Sequence, residues 1–466
     1  MAIGSFKLPI GSAGGSTPSG NTWVRPSDWL TMPTPAAQEV VGLMAVYDDG
    51  ANYVAIQCQG NYTVDWGDGT ITNYASNAVA SYQHTFASLP SGTLTSKGFR
   101  QALVRITPQG GSNLTAVNFN VQNTTLAKYF AVGWLEFDVR IPNGTISWSA
   151  SSNQTRYARL EKIVIRELTT QNPNNMFNNL FNLKSVYIEP SEMTGRTQFN
   201  SMFNNCYSLL EVNNFDTSSG TNFSYMFSAC YQLQNVPLFN FSSGNNFTGT
   251  FQNCYSLAKI PAFTLGGDVT QMFLGCSALT NIALMTTSAV TTFTSMFQNC
   301  YSLEIMPLIN TSAGTNFTSM FAGCNSLMEV PLLNTISATN LTQMFNGAQS
   351  IIYLPSFNTA NVTTVSSTFQ NCYNLRELPA LSLPVCTVFT SWINGNTSLS
   401  KSGVINPTRS HSYTGNSLSQ ANIVTIFNNL GTASVAQTIT VSSNPGYAGL
   451  TVGERAIATG KGWTIA

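Results

Sequence analysis

The sequence predicts a mostly β protein with short helical turns, in which a β-sandwich over 36–110 precedes a solenoid of stacked parallel strands over 111–400. Three observations predict it. Near-copies of one phrase, MFNNCYSL at 202–209, MFSACYQL at 226–233, MFQNCYSL at 296–303 and TFQNCYNL at 368–375, recur at a near-constant step. Residues 36–110 alternate apolar and polar side chains in short runs broken by Gly and Asp. The last 66 residues, 401–466, leave the repeat and read as helix, strand, helix, strand.

Residues 1–35 form an arm rich in Gly, Ser, Pro and Thr that ends in WVRPSDWLTMPTP. Trp23, Arg25, Asp28 and Trp29 make it an anchor. The anchor either packs on its own domain or docks on a second protein, since a terminus is ordered only where something ties it down. In 36–110 the runs VGLMAVY, YVAIQC, YTVDWGDGT, YQHTF and ALVRIT have the two-residue period of half-buried strands. Asp65 and Asp68 in that segment raise the thought of a calcium site. Ca²⁺ takes six or more oxygens and no further acids cluster nearby, so both are read as turn residues that accept from local N–H groups.

Aligned on Phe177, Phe203, Phe227, Phe251, Phe273, Phe297, Phe321, Phe345 and Phe369, the repeat steps by 22 to 26 residues, most often 24. Such a period signals a solenoid whose units bury their apolar face only by stacking. Cys follows the Phe by three residues and Leu follows by six, which places all three on one side of a short turn. A Pro-containing strand comes next (LQNVPLF, LAKIPAF, LEIMPLI, LRELPAL), then a polar turn. Leu114, Leu135, Leu160 and Leu183 head fainter units upstream. The array should close on a helix over 417–430 stopped by Gly431, a strand TITVSS, and a last helix and strand in ERAIATGKGWTIA.

Composition narrows the function. Lys+Arg and Asp+Glu number 19 each, so no basic field exists to hold nucleic acid. No apolar run reaches membrane length, and MAIGSFKLPIGSAGG lacks the apolar stretch of a signal peptide. The chain is therefore expected to stay in a cytoplasm or to leave it inside a particle. Seven of the nine Cys (Cys206, Cys230, Cys254, Cys276, Cys300, Cys324, Cys372) share one repeat position and are read as small buried hydrophobes. With two His in the chain, no metal or cofactor is expected. Asn222, Asn246, Asn316 and Asn340 also share a position, five before the Phe, and are read as turn caps. No pair of carboxylates, nucleophile elbow or phosphate loop announces an enzyme.

Two rows point outward. Tyr207, Tyr231, Tyr255, Tyr301 and Tyr373 follow the Cys. Partly exposed aromatic faces among amides suit sugar rings, and stacked Tyr that only stabilise the array suit the same pattern. Two residues after the strand's first Leu stand Glu211, Asn235, Lys259, Asn281, Glu329, Tyr353 and Glu377, a varied column that serves equally as a recognition surface or as a solvated face.

The phrase Met-Phe-x-x-Cys-x-x-Leu followed by a Pro-containing strand resembles the BspA-type leucine-rich repeat, with Ala348 in a Cys position and Trp392-Ile393 in place of Met-Phe as departures. VDWGDGT at 64–70 resembles the signature turn of a PKD domain, an Ig-like sandwich. The whole order, from the arm to GKGWTIA, resembles virion-associated proteins of marine tailed phages. That resemblance implies a non-enzymatic virion appendage, possessed of a homo-oligomeric assembly, attached to other virion proteins through its N-terminal part and presenting the solenoid to a host-surface glycan or protein. The alternative it leaves is a purely structural decoration or adaptor, with a polysaccharide depolymerase behind both.

Overall fold

A computed structural model describes residues 22–50, 52–124, 133–148, 159–168 and 171–466, so residues 1–21 of the arm lie outside the described residues. Six strands come first: β1 (Glu39–Val46), β2 (Tyr53–Gln59), β3 (Tyr62–Asp65), β4 (Ile71–Tyr74), β5 (Val79–Gln83) and β6 (Arg100–Pro108). Six more accompany the first coils: β7 (Ala116–Asn118), β8 (Trp134–Arg140), β9 (Thr145–Ser147), β10 (Lys162–Glu167), β11 (Ser185–Ile188) and β12 (Glu211–Val212).

The sandwich and the solenoid share their sheets. One sheet runs in the order β12-β11-β10-β8-β1-β6-β3-β4, the other β5-β2-β7-β9. Strands β8, β10, β11 and β12 are mutually parallel, as is the pair β7·β9, as stacked coils require, and the sandwich strands pair antiparallel. The joints are the antiparallel pairs β1·β8 and β2·β7. The apolar core likewise passes from Val40 and Ile56 through Phe137 and Phe203 to Trp463 without a break. Residue 110, expected as a domain boundary, marks a change from antiparallel to parallel pairing and no gap in the core. Gly42 makes the main joint possible: a Cβ there would stand 2.4 Å from the ring of Trp134.

All eight residues of β1 are buried. Alternate side chains enter the sandwich core, and the others (Leu43, Ala45) lie under the arm, packed with Trp29, Phe99 and Leu135. The arm thus covers the outer face of the sheet where β1 meets β8.

From residue 199 onward the coils repeat one hydrogen-bond scheme. Phe199, Ser201, Phe203 and Asn205 send their N–H groups to Asn222, Ser224, Met226 and Ser228 of the next coil, while Met202 and Cys206 bond back three residues to Phe199 and Phe203. The short turns expected here are therefore chained β-turns that tie coil to coil. Each turn carries a left-handed residue in its third position, Ser201 (φ 54°) and Asn205 (φ 61°) in this coil. That is the φ a type II turn demands, and Asn or Gly meets it at low cost. It explains why Asn or Gly stands directly before the Cys in most coils. The three-residue step keeps Phe, Cys and Leu pointing inward, all with no measurable exposure at Phe203, Cys206 and Leu209.

The cap follows the expected order. Helix α1 (Gln420–Asn429) starts three residues later than the pattern suggested, because Ser419 serves as its N-cap and accepts from the Asn422 N–H. Gly431 leaves the helix by donating to the Pro407 carbonyl. Helix α2 (Val452–Thr459) opens on a capping box of Thr451 and Glu454. Strand 463–465 pairs parallel with 437–440, and the Lys461 ammonium donates to the terminal carbonyls of α1 at Phe427, Asn428 and Leu430.

Candidate functional site

The Cys column fixes the direction of its neighbours. Each thiol donates to the carbonyl of the preceding coil's Phe, or of its equivalent, at 3.0–3.2 Å: Cys206 to Phe177, Cys254 to Phe227, Cys300 to Phe273, Cys372 to Phe345. Burial pushes the thiols up, Cys324 and Cys372 to about 12. A thiol held protonated and dry serves neither as nucleophile nor as metal ligand. The inward Phe rings stack coil on coil from Phe177 to Phe369 at 5.0–5.9 Å, within 15° of parallel.

With Cys inward, the next residue turns out. Phe181, Tyr207, Tyr231 and Tyr255 form a ladder of rings 4.7–4.8 Å apart. Burial between its neighbours raises the Tyr231 phenol above its ordinary value. The ladder then loses a rung. Ser277 occupies the next coil, and Tyr301 stands beyond it between Ser277 and Asn325. Tyr207 and Tyr231 are half-buried, whereas Tyr255 is 42% and Tyr301 47% exposed. Tyr373, 43% exposed, stands farther along beside Gln349 and Thr397. The row read from the sequence is thus a stacked trio and two separate rings, and only Tyr255, Tyr301 and Tyr373 have a face without an aromatic neighbour.

The anchor residues of the arm are all used within the chain. Trp23 Nε1 donates to Glu161 at 3.0 Å. Arg25 donates to Glu136 at 2.7 Å and to the Trp29 carbonyl. Asp28 accepts from the N–H and hydroxyl of Ser96 at 2.8 and 2.7 Å, which holds its carboxyl below the usual range. Trp29 is buried. These are the contacts of an arm that packs on its own sheet.

Asp65 and Asp68 do turn work. Asp65 accepts from the Gly67 N–H at 3.0 Å, and Asp68 from the Thr70 N–H at 3.1 Å and the Tyr82 hydroxyl at 2.7 Å. Asn222, Asn246, Asn316 and Asn340 each accept from the N–H two residues on, at 2.9–3.1 Å, as turn caps. His84 is buried against the Trp66 carbonyl at 2.7 Å, and burial lowers His411 to about 4.

The strand column is outward as expected: Asn235, Lys259, Asn281, Glu329 and Tyr353 are exposed, Glu211 and Glu377 half-exposed. Sequence reasoning missed a second row. The second residue after the strand's buried Val, Ile or Met, which follows Pro in LQNVPLF and LEIMPLI and Ala283 in the coil of Leu284, faces water. Leu238 is 75% exposed, Leu284 68%, Leu308 61% and Leu332 63%. The signal was available: Pro cannot donate to a ladder, and it marks the end of regular alternation.

No helix among the described residues is long and apolar enough to cross a membrane. Among solved structures, the chain is similar to the mouse RP105/MD-1 complex, with 14% identity over 66% of this chain and 56% of that one, at a TM-score of 0.22. It is also similar to the plant peptide hormone receptor RGFR1 in complex with RGF2, with 13% identity over 62% of each chain, at a TM-score of 0.22. The chain spans less than two thirds of the length of either. No curated protein matches the chain. Residues 157–262 and 267–380, the heart of the solenoid, match the family described as Mycoplasma protein of unknown function, DUF285.

Proposed function

We propose that the solenoid is a binding scaffold without catalytic function, and that it presents repeated weak contacts to a polymeric surface ligand, foremost a cell-surface glycan. The observation that carries this is the missing rung at Ser277, which leaves the rings of Tyr255 and Tyr301 exposed on either side of a small hydroxyl. Their coils are two steps apart, about 9–10 Å at the spacing of adjacent strands. That separation admits one sugar ring between the apolar faces of the two Tyr, while nearby hydroxyls and amides bond its edge. Many copies on one body would convert weak contacts into firm attachment.

Within the same proposal the chain is a virion appendage of a tailed phage. The resemblance of its overall order supports this, as does the PKD-like VDWGDGT turn in a sandwich that caps the solenoid. Because Trp23, Arg25, Asp28 and Trp29 are engaged on their own sheet, we assign the contact with other virion proteins to the exposed sandwich surface.

The test is binding of the purified chain to envelope polysaccharide of candidate host cells. The double variant Tyr255→Ala/Tyr301→Ala should lose at least tenfold in affinity, and Tyr207→Ala, whose ring is covered by its neighbours, should lose little. Equal losses from both, or none from the double variant, would remove the slot from the proposal.

A further inference from the structure

The exposed Leu row belongs to a larger apolar patch. The same strand segments expose Ile305 at 53%, Met328 at 49% and Tyr353 at 60%, and Met328, Ile352 and Tyr353 line one shallow concavity with Glu329. The largest apolar patch of a monomeric protein is typically on the order of 300–600 Å², and a standard interface covers about 800 Å² on each partner. Leu238 at 75% and Ile352 at 44% extend this exposed apolar surface to eight side chains along the array. In a chain of which 8% is charged, so much bare hydrocarbon on one wall asks for a cover.

We propose that the cover is a second copy of this chain, laid antiparallel on the first about a two-fold axis that runs along the strands between the coils of Leu284 and Leu308. An axis in that place sets each row against the same row of the partner and reverses the order of coils. Leu284 then meets Leu308. Ala262 meets Leu332 and Ala258 meets Met328, so small side chains face large ones. Lys259 meets Glu329. Within this chain neither Lys259 nor Glu329 forms an ion pair among the described residues. The two stand three coils apart, about 14 Å at strand spacing, and therefore serve each other only across the axis. A stripe that is apolar but for Glu304, which falls opposite Thr280, and that is flanked by Lys259 and Glu329 at equal distances from its centre is self-complementary, which is what an isologous interface requires. The occupant is chosen on that symmetry. An unrelated partner would have no reason to demand it.

Sedimentation of the intact chain across micromolar concentrations tests this. The expected result is a monomer–dimer equilibrium. Leu308→Asp, on an exposed side chain, should abolish the dimer with the circular-dichroism melting curve unchanged. Lys259→Glu and Glu329→Lys should each weaken the dimer about tenfold, and the double swap should restore it. A chain that stays monomeric, a dimer that survives Leu308→Asp, or a double swap no better than either single change would overturn the proposal. This result is independent of the Tyr255/Tyr301 slot, which lies on another row.

Discussion

The two halves of this molecule are held by different forces. Among the described residues, six of the seven ion pairs lie between residues 25 and 184, among them Arg25–Glu136, Lys162–Glu136, Arg105–Glu39 and Arg166–Asp138, and Lys401–Glu377 is the one elsewhere. The solenoid relies on repetition: stacked Phe rings, thiols and hydroxyls bonded to the carbonyl of a neighbouring coil, and Asn-capped turns. Thr311 and Thr335, for instance, donate to Asn334 and Asn358 of the following coil at 2.9 and 2.8 Å. Identical coils find register by matching their neighbours. The joint between sandwich and first coils has no repeat to match, and buried acids such as Glu136 and Asp138 select the correct pairing there. Asp138 shows the cost: burial raises its carboxyl above the usual range even with Arg166 at 2.8 Å.

The largest expected effect separates the halves by pH. Unfolded thiols ionise near their ordinary value of 9.0, whereas buried Cys324 and Cys372 hold their protons to about 12. Their folded values are raised, so the stability they contribute is complete below pH 9 and is lost as pH rises toward 12. Each such thiol subtracts about 1.4 kcal/mol per pH unit in that window, and seven act together. Alkaline titration followed by circular dichroism should show the solenoid collapsing between pH 9 and 11. Retention of structure to pH 12 would show that the thiols are not dry. Next in size, Phe273→Ala removes one ring from the stack and should cost about 4 kcal/mol in denaturant unfolding. Smaller again, Glu136→Gln strips the partner from Arg25 and Lys162. Both partners are about a quarter exposed, so the loss should be about 2 kcal/mol and should be sensitive to salt, unlike that of Phe273→Ala.

Much of the solenoid was legible because a repeat states its own alignment. Phe203, Cys206 and Leu209 were placed inside by spacing alone, and Asn222 and its equivalents were placed at turns by sharing one position. The helix of the cap was visible from IVTIFNNL before Gly431. What was illegible depended on partners distant in sequence. Nothing in VGLMAVY says that β1 will pair with LEFDVR of β8, because alternating strands carry no label for the neighbour they choose. The exposed Leu row was hidden for another reason. Leu before a buried Phe reads as core unless the break in alternation after Pro is followed residue by residue. The slot at Ser277 was present as the one coil between Tyr255 and Tyr301 that lacks the aromatic, and it needed the stacking distances to acquire meaning.

Sandwich and solenoid form one continuous body joined at β1·β8. Hydrogen exchange of the full chain carrying Gly42→Val tests it most directly, since the added side chain must displace the ring of Trp134. Faster exchange is predicted on both sides of the joint, in β1 and β6 and equally in β8 and β10. Acceleration confined to residues 39–108, with β8 and β10 as protected as before, would show that sandwich and solenoid open independently.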